Sequence, residues 1–425
     1  MGIKEITARE ILDSRGIPTI STKITLEDGT VGLGDVPSGT STGKTEVLEL
    51  RDNDLKRYRG KGVLSAVGNI NNLIAQQLIQ KEFLSQESFD QFLIDLDGTE
   101  FKTNFGGNTI LSLSMAFARA ATKSKNLPLY EYFGKLYWRE SFKKEFLQLP
   151  EPLILVMEGG SHGNWVTDIQ EYMIIPKKEK FPVFADALRV GTEIFHTIHD
   201  ILRDRGYTAN TGYEGGFATS QIKSNEDVFE IILEGIEKAG FKIEQEILLA
   251  VDIAASEFYD PSTKKYHLKT ENKTFTAKEW IGYQTELFSK YPVHIIEDPM
   301  DQEDWDGWME IMKQMGDKKQ IIGDDLLTTN VKRIQKASEF EAINSVLIKP
   351  NQIGTITETM RAMRASEELK YPCIISHRSG ETNDDLIADL VVGSFAKQCK
   401  LGATNRGERI VKYNRLVEIE ESLNK

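Results

Sequence analysis

The sequence predicts an α/β protein in which a small α+β domain precedes a strand–helix alternation closed into a barrel. Three observations carry that expectation. First, six short apolar runs in the second half each end on charged or polar residues. Residues 247–251 end on Asp252, 293–296 on Glu297 and Asp298, and 321–323 on Asp324 and Asp325. Residues 346–348 end on Lys349, 373–375 on Ser376, His377, Arg378 and Ser379, and 398–399 on Lys400. Continuous apolar runs suit strands covered on both faces, as in a parallel sheet. Second, one amphipathic helical stretch separates successive runs, the βαβα order of a barrel or open α/β sheet. Third, the first part of the chain groups strand patterns before helical ones, the order of an α+β domain.

In chain order, residues 2–12 and 18–26 read as strands, Asp28 and Gly29 as a turn, and 30–36 as a third strand. Helical patterns cover 63–81, 88–96 and 109–125, which places the first domain over residues 1–135. The charged, aromatic stretch 138–152 reads as a connector, and the barrel is expected over 145–425. Ser224 with Asp227, Thr276 with Glu279 and Thr355 with Glu358 have the spacing of helix N-caps. Val228, Ile231, Ile232 and Ile236 share one helical face, with Gly240 as terminator.

The 425 residues suffice for two domains, and a hydrophobic share of 40% with 28% charged residues is that of a globular protein. The net charge of −13 argues against nucleic acid or an anionic membrane as partner, since both need a basic face. Cys373 and Cys399 each lie inside an apolar run and read as buried reduced thiols. The N-terminus has no signal-peptide apolar core and no apolar stretch approaches bilayer length, so a cytoplasmic location without a membrane span is expected.

If the strand ends meet on one rim, where barrel enzymes place their chemistry, three carboxylates, two lysines and a His-Arg pair face a common point. Asp252, Glu297 and Asp324 are hard oxygen donors on successive strand–helix units, a set that suits Mg2+ better than zinc. Lys349 and Lys400 would stand near that cation, which disfavours the ammonium form and brings a lysine toward general-base duty. Glu214 sits among Gly212, Gly215 and Gly216, which let backbone approach a ligand closely. Residues 39–45 contain a G-x-S-x-G pattern and a Walker-like loop one residue short, and read instead as a mobile loop able to close over a ligand. His196 and His199 are three apart on a predicted helix without a third ligand, and His267 and His294 have no partners in sequence. All four read as structural.

From end to end the chain resembles the enolases. Matching stretches include Leu12-Asp13-Ser14-Arg15-Gly16, Ser41-Thr42-Gly43, Gly159-Gly160-Ser161-His162 and Asp168-Ile169-Gln170-Glu171. Further on they include Glu214-Gly215-Gly216-Phe217-Ala218, Asp252-Ile253-Ala254-Ala255-Ser256-Glu257, Asn351-Gln352-Ile353-Gly354-Thr355 and Ser376-His377-Arg378-Ser379-Gly380-Glu381-Thr382. The resemblance implies a modified TIM-type (β/α)8 barrel whose second strand is antiparallel. It also implies the magnesium-dependent dehydration of 2-phospho-D-glycerate to phosphoenolpyruvate in glycolysis and gluconeogenesis. By position, Asp252, Glu297 and Asp324 match ligands of a first Mg2+, and Ser41 the loop residue that joins a second once substrate is bound. Lys349 matches the base at C2 and Glu214 the acid at the 3-hydroxyl, with Glu171 in the same acid cluster and His162 on a closing loop. Arg378 and Ser379 match phosphate contacts, Lys400 and Gln170 carboxylate-side contacts, and Ser376 and His377 belong to the same substrate-binding set. A homodimer or larger homo-oligomer is implied too.

Around these positions the chain departs from the family's usual residues. Tyr213 stands where Asp is usual, Glu158 where Asn is, Lys44 and Thr45 where Glu and His are, and Trp165 in a segment usually small and polar. Tyr213 is expected to affect Glu214, and Lys44 to affect loop closure. The alternatives are a non-catalytic or weakly active enolase-like binding protein, a superfamily enzyme for another carboxylate, and a P-loop hydrolase. The complete acid–base–metal set, the phosphate-directed set Arg378, Ser379 and Ser41, and the short loop argue against them in turn.

Overall fold

The computed structural model describes residues 1–40 and 43–424. The chain opens with an antiparallel sheet of β1 (Ile3–Leu12), β2 (Pro18–Leu26) and β3 (Val31–Asp35). The turn between β2 and β3 is closed by the Asp28 carboxylate, which accepts from Thr30 N at 2.9 Å, with Gly29 at φ +84°. The stretch expected as one helix over 63–81 is helical without a break over 64–78, where α1 (Leu64–Gly68) and α2 (Ala75–Leu78) are joined by a wider helical turn at Asn69–Ile74. That turn is tied to β1, where the Asn71 side chain accepts from Ala8 N at 2.7 Å and donates to Ala8 O at 3.0 Å.

Next come α3 (Gln86–Asp97), capped by Ser85, and α4 (Gly107–Ser124). Helix α4 lies directly on β3 because Gly32 and Gly34 leave room for backbone: a Cβ there would meet Ala116 O at 2.0 Å and Ser112 O at 2.4 Å. The aromatic stretch up to Trp138 forms a further helix, α5 (Leu129–Trp138), which the sequence pattern did not mark. Its identity is set by docking on the second domain: Tyr130 N donates to Asp389 at 3.0 Å and Tyr137 OH to Glu367 at 2.7 Å.

The second domain contains β4 (Glu151–Glu158), β5 (Glu171–Pro176), α6 (Phe184–Asp204), α7 (Asn225–Lys238) and β6 (Ile247–Asp252). A small antiparallel sheet of β7 (Tyr259–Asp260), β8 (Lys265–Leu268) and β9 (Lys273–Thr276) precedes α8 (Ala277–Lys290). Then follow β10 (Val293–Glu297), α9 (Trp305–Met315), β11 (Gln320–Gly323), α10 (Val331–Glu339) and β12 (Ser345–Ile348). The chain ends with α11 (Pro350–Ile353), α12 (Ile356–Glu368), β13 (Cys373–Ser376), α13 (Leu386–Val392), β14 (Gln398–Lys400) and α14 (Gly407–Leu423). Each expected N-cap is made: the side chains of Ser224, Thr276 and Thr355 accept from Asp227 N, Glu279 N and Glu358 N.

The strands close into a barrel in the order β4, β5, β6, β10, β11, β12, β13, β14. All pairings are parallel except those of β5, which is antiparallel to both neighbours. The six apolar runs are β6 and β10 to β14, and their side chains fill the interior. Among the described residues no helix is long and apolar enough to cross a membrane.

Both cysteines are buried and unpaired, and burial pushes the Cys373 thiol up to about 12. A thiol reagent is therefore expected to find no reactive cysteine in the native protein and both in denaturant. Rapid labelling of the folded state would contradict this packing.

Candidate active site

Antiparallel β5 decides which charges share the rim. A strand running backwards presents its first residue where its neighbours present their last. Glu158 at the end of β4 thus pairs with Glu171 at the start of β5, Glu171 with Asp252, and Asp252 with Glu297. Four carboxyl groups lie side by side across four adjacent strands.

Lys400, paired in register with Ser376, reaches across to three of them. Its Nζ lies 2.7 Å from Glu297 Oε2, 3.0 Å from Asp252 Oδ2 and 3.2 Å from Glu171 Oε2. Despite the cost of burial, these partners hold its ammonium well above the usual lysine range. Burial pushes Glu297 far up, with repulsion from Asp252 adding to it, and pushes Asp252 up against the opposing Lys400, with repulsion from Glu171 and Asp324 adding. Lys349 donates to Asp324 Oδ2, while Asp324 Oδ1 accepts from Gln352 Nε2 at 2.8 Å. Against the burial cost, Lys349 and Arg378 keep Asp324 below the usual carboxylate range, and Asp324 in turn keeps Lys349 protonated.

The other side of the cavity is an acid–imidazole network. Glu214 lies 3.0 Å from His377 Nε2 and 3.3 Å from His162 Nδ1, and His162 lies 3.6 Å from Glu171. All four side chains are buried. Burial would raise Glu214, but His377 and His162 bring it well below the carboxylate range. His162 titrates above its usual range because Glu214 and Glu171 outweigh burial, whereas burial keeps His377 below it. His377 Nδ1 is held by Arg409 at 2.7 Å, and the same guanidinium bonds the carbonyls of Arg378 at 2.5 Å and Ser379 at 2.7 Å.

At the phosphate-directed corner, Arg378 is gripped by Glu46 at 2.9 and 3.2 Å and by Asn351 at 3.0 Å. Ser379 Oγ pairs with Thr40 Oγ1 at 2.6 Å, and Ser38 exchanges backbone hydrogen bonds with Gly380, so the first domain's loop is tied to the rim. Gln170 accepts from Ser161 at 2.9 Å, and Ser376 donates to the His377 carbonyl at 3.0 Å. The loop after β4 that carries His162 is anchored by Trp165: Lys269 Nζ lies 3.2 Å over its ring, and Thr270 donates to its carbonyl at 2.8 Å.

The residues singled out from sequence therefore line one cavity, except Glu297, which adjoins it through its contact with Lys400, and Ser41, which lies outside the described residues. Larger grooves exist, one of about 570 Å³ beside Trp138, Gln320 and Gln398, but it opens at the amino ends of the strands. His196 and His199 join no metal-binding group among the described residues. The described residues of the decoy segment, 39–40 and 43–45, lie in no helix, and no helix follows them directly, so neither decoy motif has its required setting. Tyr213 is 44% exposed, and the carboxyl that bonds the Glu214 backbone is that of Glu158.

Could the rim hold a cation? Glu297 Oε1 is buried without a hydrogen-bond partner, and the surrounding donors are all hard oxygens, which fits a divalent cation such as Mg2+. The atoms of Asp252, Glu297 and Asp324 do not all lie within 4.8 Å of one another, whereas those of Asp298, Asp324 and Asp325 do. Asp298, however, spends both oxygens on Asp324 N at 2.9 Å and Asp325 N at 2.8 Å. It shapes the turn after β11 and leaves Asp324 free to face the cavity. In the wider trio, the ammonium groups of Lys400 and Lys349 stand against the carboxylates.

Sequence reasoning missed Glu46, Gln352, Asp298 and Arg409 as parts of this site. Arg409 looked like any charge on a terminal helix, and only its complete burial reveals its role.

Two family models match the chain. The one described as "Enolase, N-terminal domain" covers residues 3–133, and "Enolase, C-terminal TIM barrel domain" covers residues 146–425.

Proposed function

The chain belongs to the enolase family and is a lyase of that superfamily, and from this premise we propose that it dehydrates 2-phospho-D-glycerate to phosphoenolpyruvate with Mg2+. The observation that supports this most is the opposition of two ionisable clusters across one buried cavity, Lys349 with Asp324 on one side and His162, Glu171, Glu214 and His377 on the other. A dehydration needs that division: one end removes a proton, and the other delivers one to the departing hydroxyl.

In this reading Asp252, Glu297 and Asp324 would hold a first Mg2+, and Ser41 would help hold a second in the presence of substrate. Bound there, Mg2+ supplies positive charge that stabilises the anion developing on the substrate carboxylate and lowers the proton affinity of nearby lysines. Lys349, once neutral, takes the C2 proton. Lys400 is the fixed cation beside the substrate carboxylate, matched most strongly when charge has built up there. Gln170 orients the same end. Arg378 and Ser379 take the phosphate, which competes with Glu46 for the guanidinium. The acid end keeps its proton on His162, whose partners Glu214 and Glu171 hold it there, and Glu214 relays it to the 3-hydroxyl. The same reading carries a cytoplasmic homodimer.

Pure protein given 2-phosphoglycerate and Mg2+ is expected to form phosphoenolpyruvate, followed by its absorbance. A chelator should stop the reaction and added Mg2+ restore it. Folded protein that binds Mg2+ yet forms no product would overturn this reading.

A further inference from the structure

Of the four carboxyl groups side by side on β4, β5, β6 and β10, Glu158 is the one that the proposed reaction leaves unused. It is buried to 1% exposure at the end of β4. Its Oε1 accepts from the backbone N–H of Glu214 at 2.8 Å, and its Oε2 is buried with no hydrogen-bond partner. The glycine-rich segment packs closely on it: a Cβ on Gly212 would meet Glu158 Oε2 at 2.6 Å and the His162 carbonyl at 2.7 Å.

An ionised carboxylate does not leave an oxygen unsolvated inside a protein without large cost, and it loses its proton still less readily beside other carboxylates. Facing Glu158 are Glu171 from β5, His162 from the loop after β4 and Glu214 from the glycine-rich segment. Lys400 neutralises Glu171 from β14, while His377 and Arg409 stand against Glu214 on its far side. Arg406 reaches the Gly212 carbonyl at 3.2 Å. None of these cations bonds Glu158 Oε2.

We propose that Glu158 is a proton-carrying positioning residue of the acid end: one oxygen fixes the Glu214 backbone while the other carries a proton, keeping a further negative charge away from Glu214 and the anionic substrate. This rests on the dehydration proposed for the same site. Burial and then the Glu214 charge push Glu158 up to about 8, consistent with the geometry. Once that proton leaves, the added charge raises the proton affinity of Glu214, making it a poorer acid, and repels the substrate. His162 is raised first by Glu214 and Glu171, and Glu158 adds to them in the same direction.

The test compares wild type with Glu158→Gln, which keeps an oxygen acceptor for Glu214 N but has no proton to lose. The wild-type kcat/KM should fall above pH 8 more steeply than that of Glu158→Gln, their ratio changing about tenfold by pH 9 for a single proton. Parallel profiles from pH 6 to 9 would overturn the proposal, because a purely structural role moves both alike.

Stability gives a readout independent of turnover. The folded protein holds a proton that the unfolded chain releases near 4.5, so wild-type stability is lost relative to Glu158→Gln as pH rises from about 4.5 to about 8. The Tm of Glu158→Gln minus that of wild type should therefore grow across that window and level off above it. A difference that does not change with pH overturns the proposal. If neither protein dehydrates 2-phosphoglycerate, the proposed reaction fails, and the Tm difference alone decides the role of Glu158.

Discussion

Replacing Lys349 by Ala is expected to lower turnover of 2-phosphoglycerate by about 10⁴-fold, the upper end of what one positioned base contributes. No other described amine can substitute for it. Lys400 is engaged by Glu297, Asp252 and Glu171, and is held far more firmly as an ammonium. The variant also removes the only side-chain cation bonded to Asp324 among the described residues, although Gln352 still bonds the other oxygen. Lost turnover must therefore be read beside a Tm measured with Mg2+ present, where a cation on Asp324 offsets the missing ammonium. Turnover within tenfold of wild type would remove Lys349 as the base.

Lys400→Met has the largest expected effect on stability. It leaves Glu171, Asp252 and Glu297 buried around a vanished counter-charge, and breaking a buried ion pair from one side costs about 3–5 kcal/mol. The sign with pH follows from the raised lysine. Its contribution is complete at neutral pH and below the unfolded lysine pKa of about 10.4, and is lost only as pH rises beyond that. At pH 7 in chelator the Tm should fall by several degrees. Added Mg2+ should recover more of the Tm in this variant than in wild type, since a cation takes over part of the neutralisation. Equal responses to Mg2+ would show that Lys400 and the metal do not share these carboxylates. Turnover should collapse in either condition, because the cation facing the substrate carboxylate is gone.

The ladder of charged strand ends was legible in the sequence because an apolar run makes the strand and its end is the first residue free to be polar. Asp252, Glu297, Asp324, Lys349 and Lys400 each follow such a run and meet on the rim. Glu171 was harder, because it begins a strand and reaches the rim only through the antiparallel pairing of β5. Resemblance to known enolases, not periodicity, indicated that reversal. Glu46, Arg409 and Glu158 were illegible as partners for a different reason. Each acts through a contact with a residue 32 to 332 positions away or through burial, and no local pattern encodes such a meeting. Glu158 appeared only as an unusual residue before two glycines, and Tyr213, also unusual, drew attention that belonged to Glu158. The helix expected over 63–81 forms over 64–78, but its wider middle turn was illegible for the same reason, since Asn71 bonds β1.

The account's central claim is that proton removal and hydroxyl departure belong to opposite walls of one cavity, and hydrogen exchange at C2 of 2-phosphoglycerate in deuterated water tests it most directly. In Glu214→Gln the account predicts that deuterium still enters C2, because Lys349 and the metal ligands are intact, while phosphoenolpyruvate formation collapses. In Lys349→Ala it predicts neither exchange nor product. Exchange that survives in Lys349→Ala, or that disappears in a folded, Mg2+-binding Glu214→Gln, would contradict the division of the site into a base wall and an acid wall.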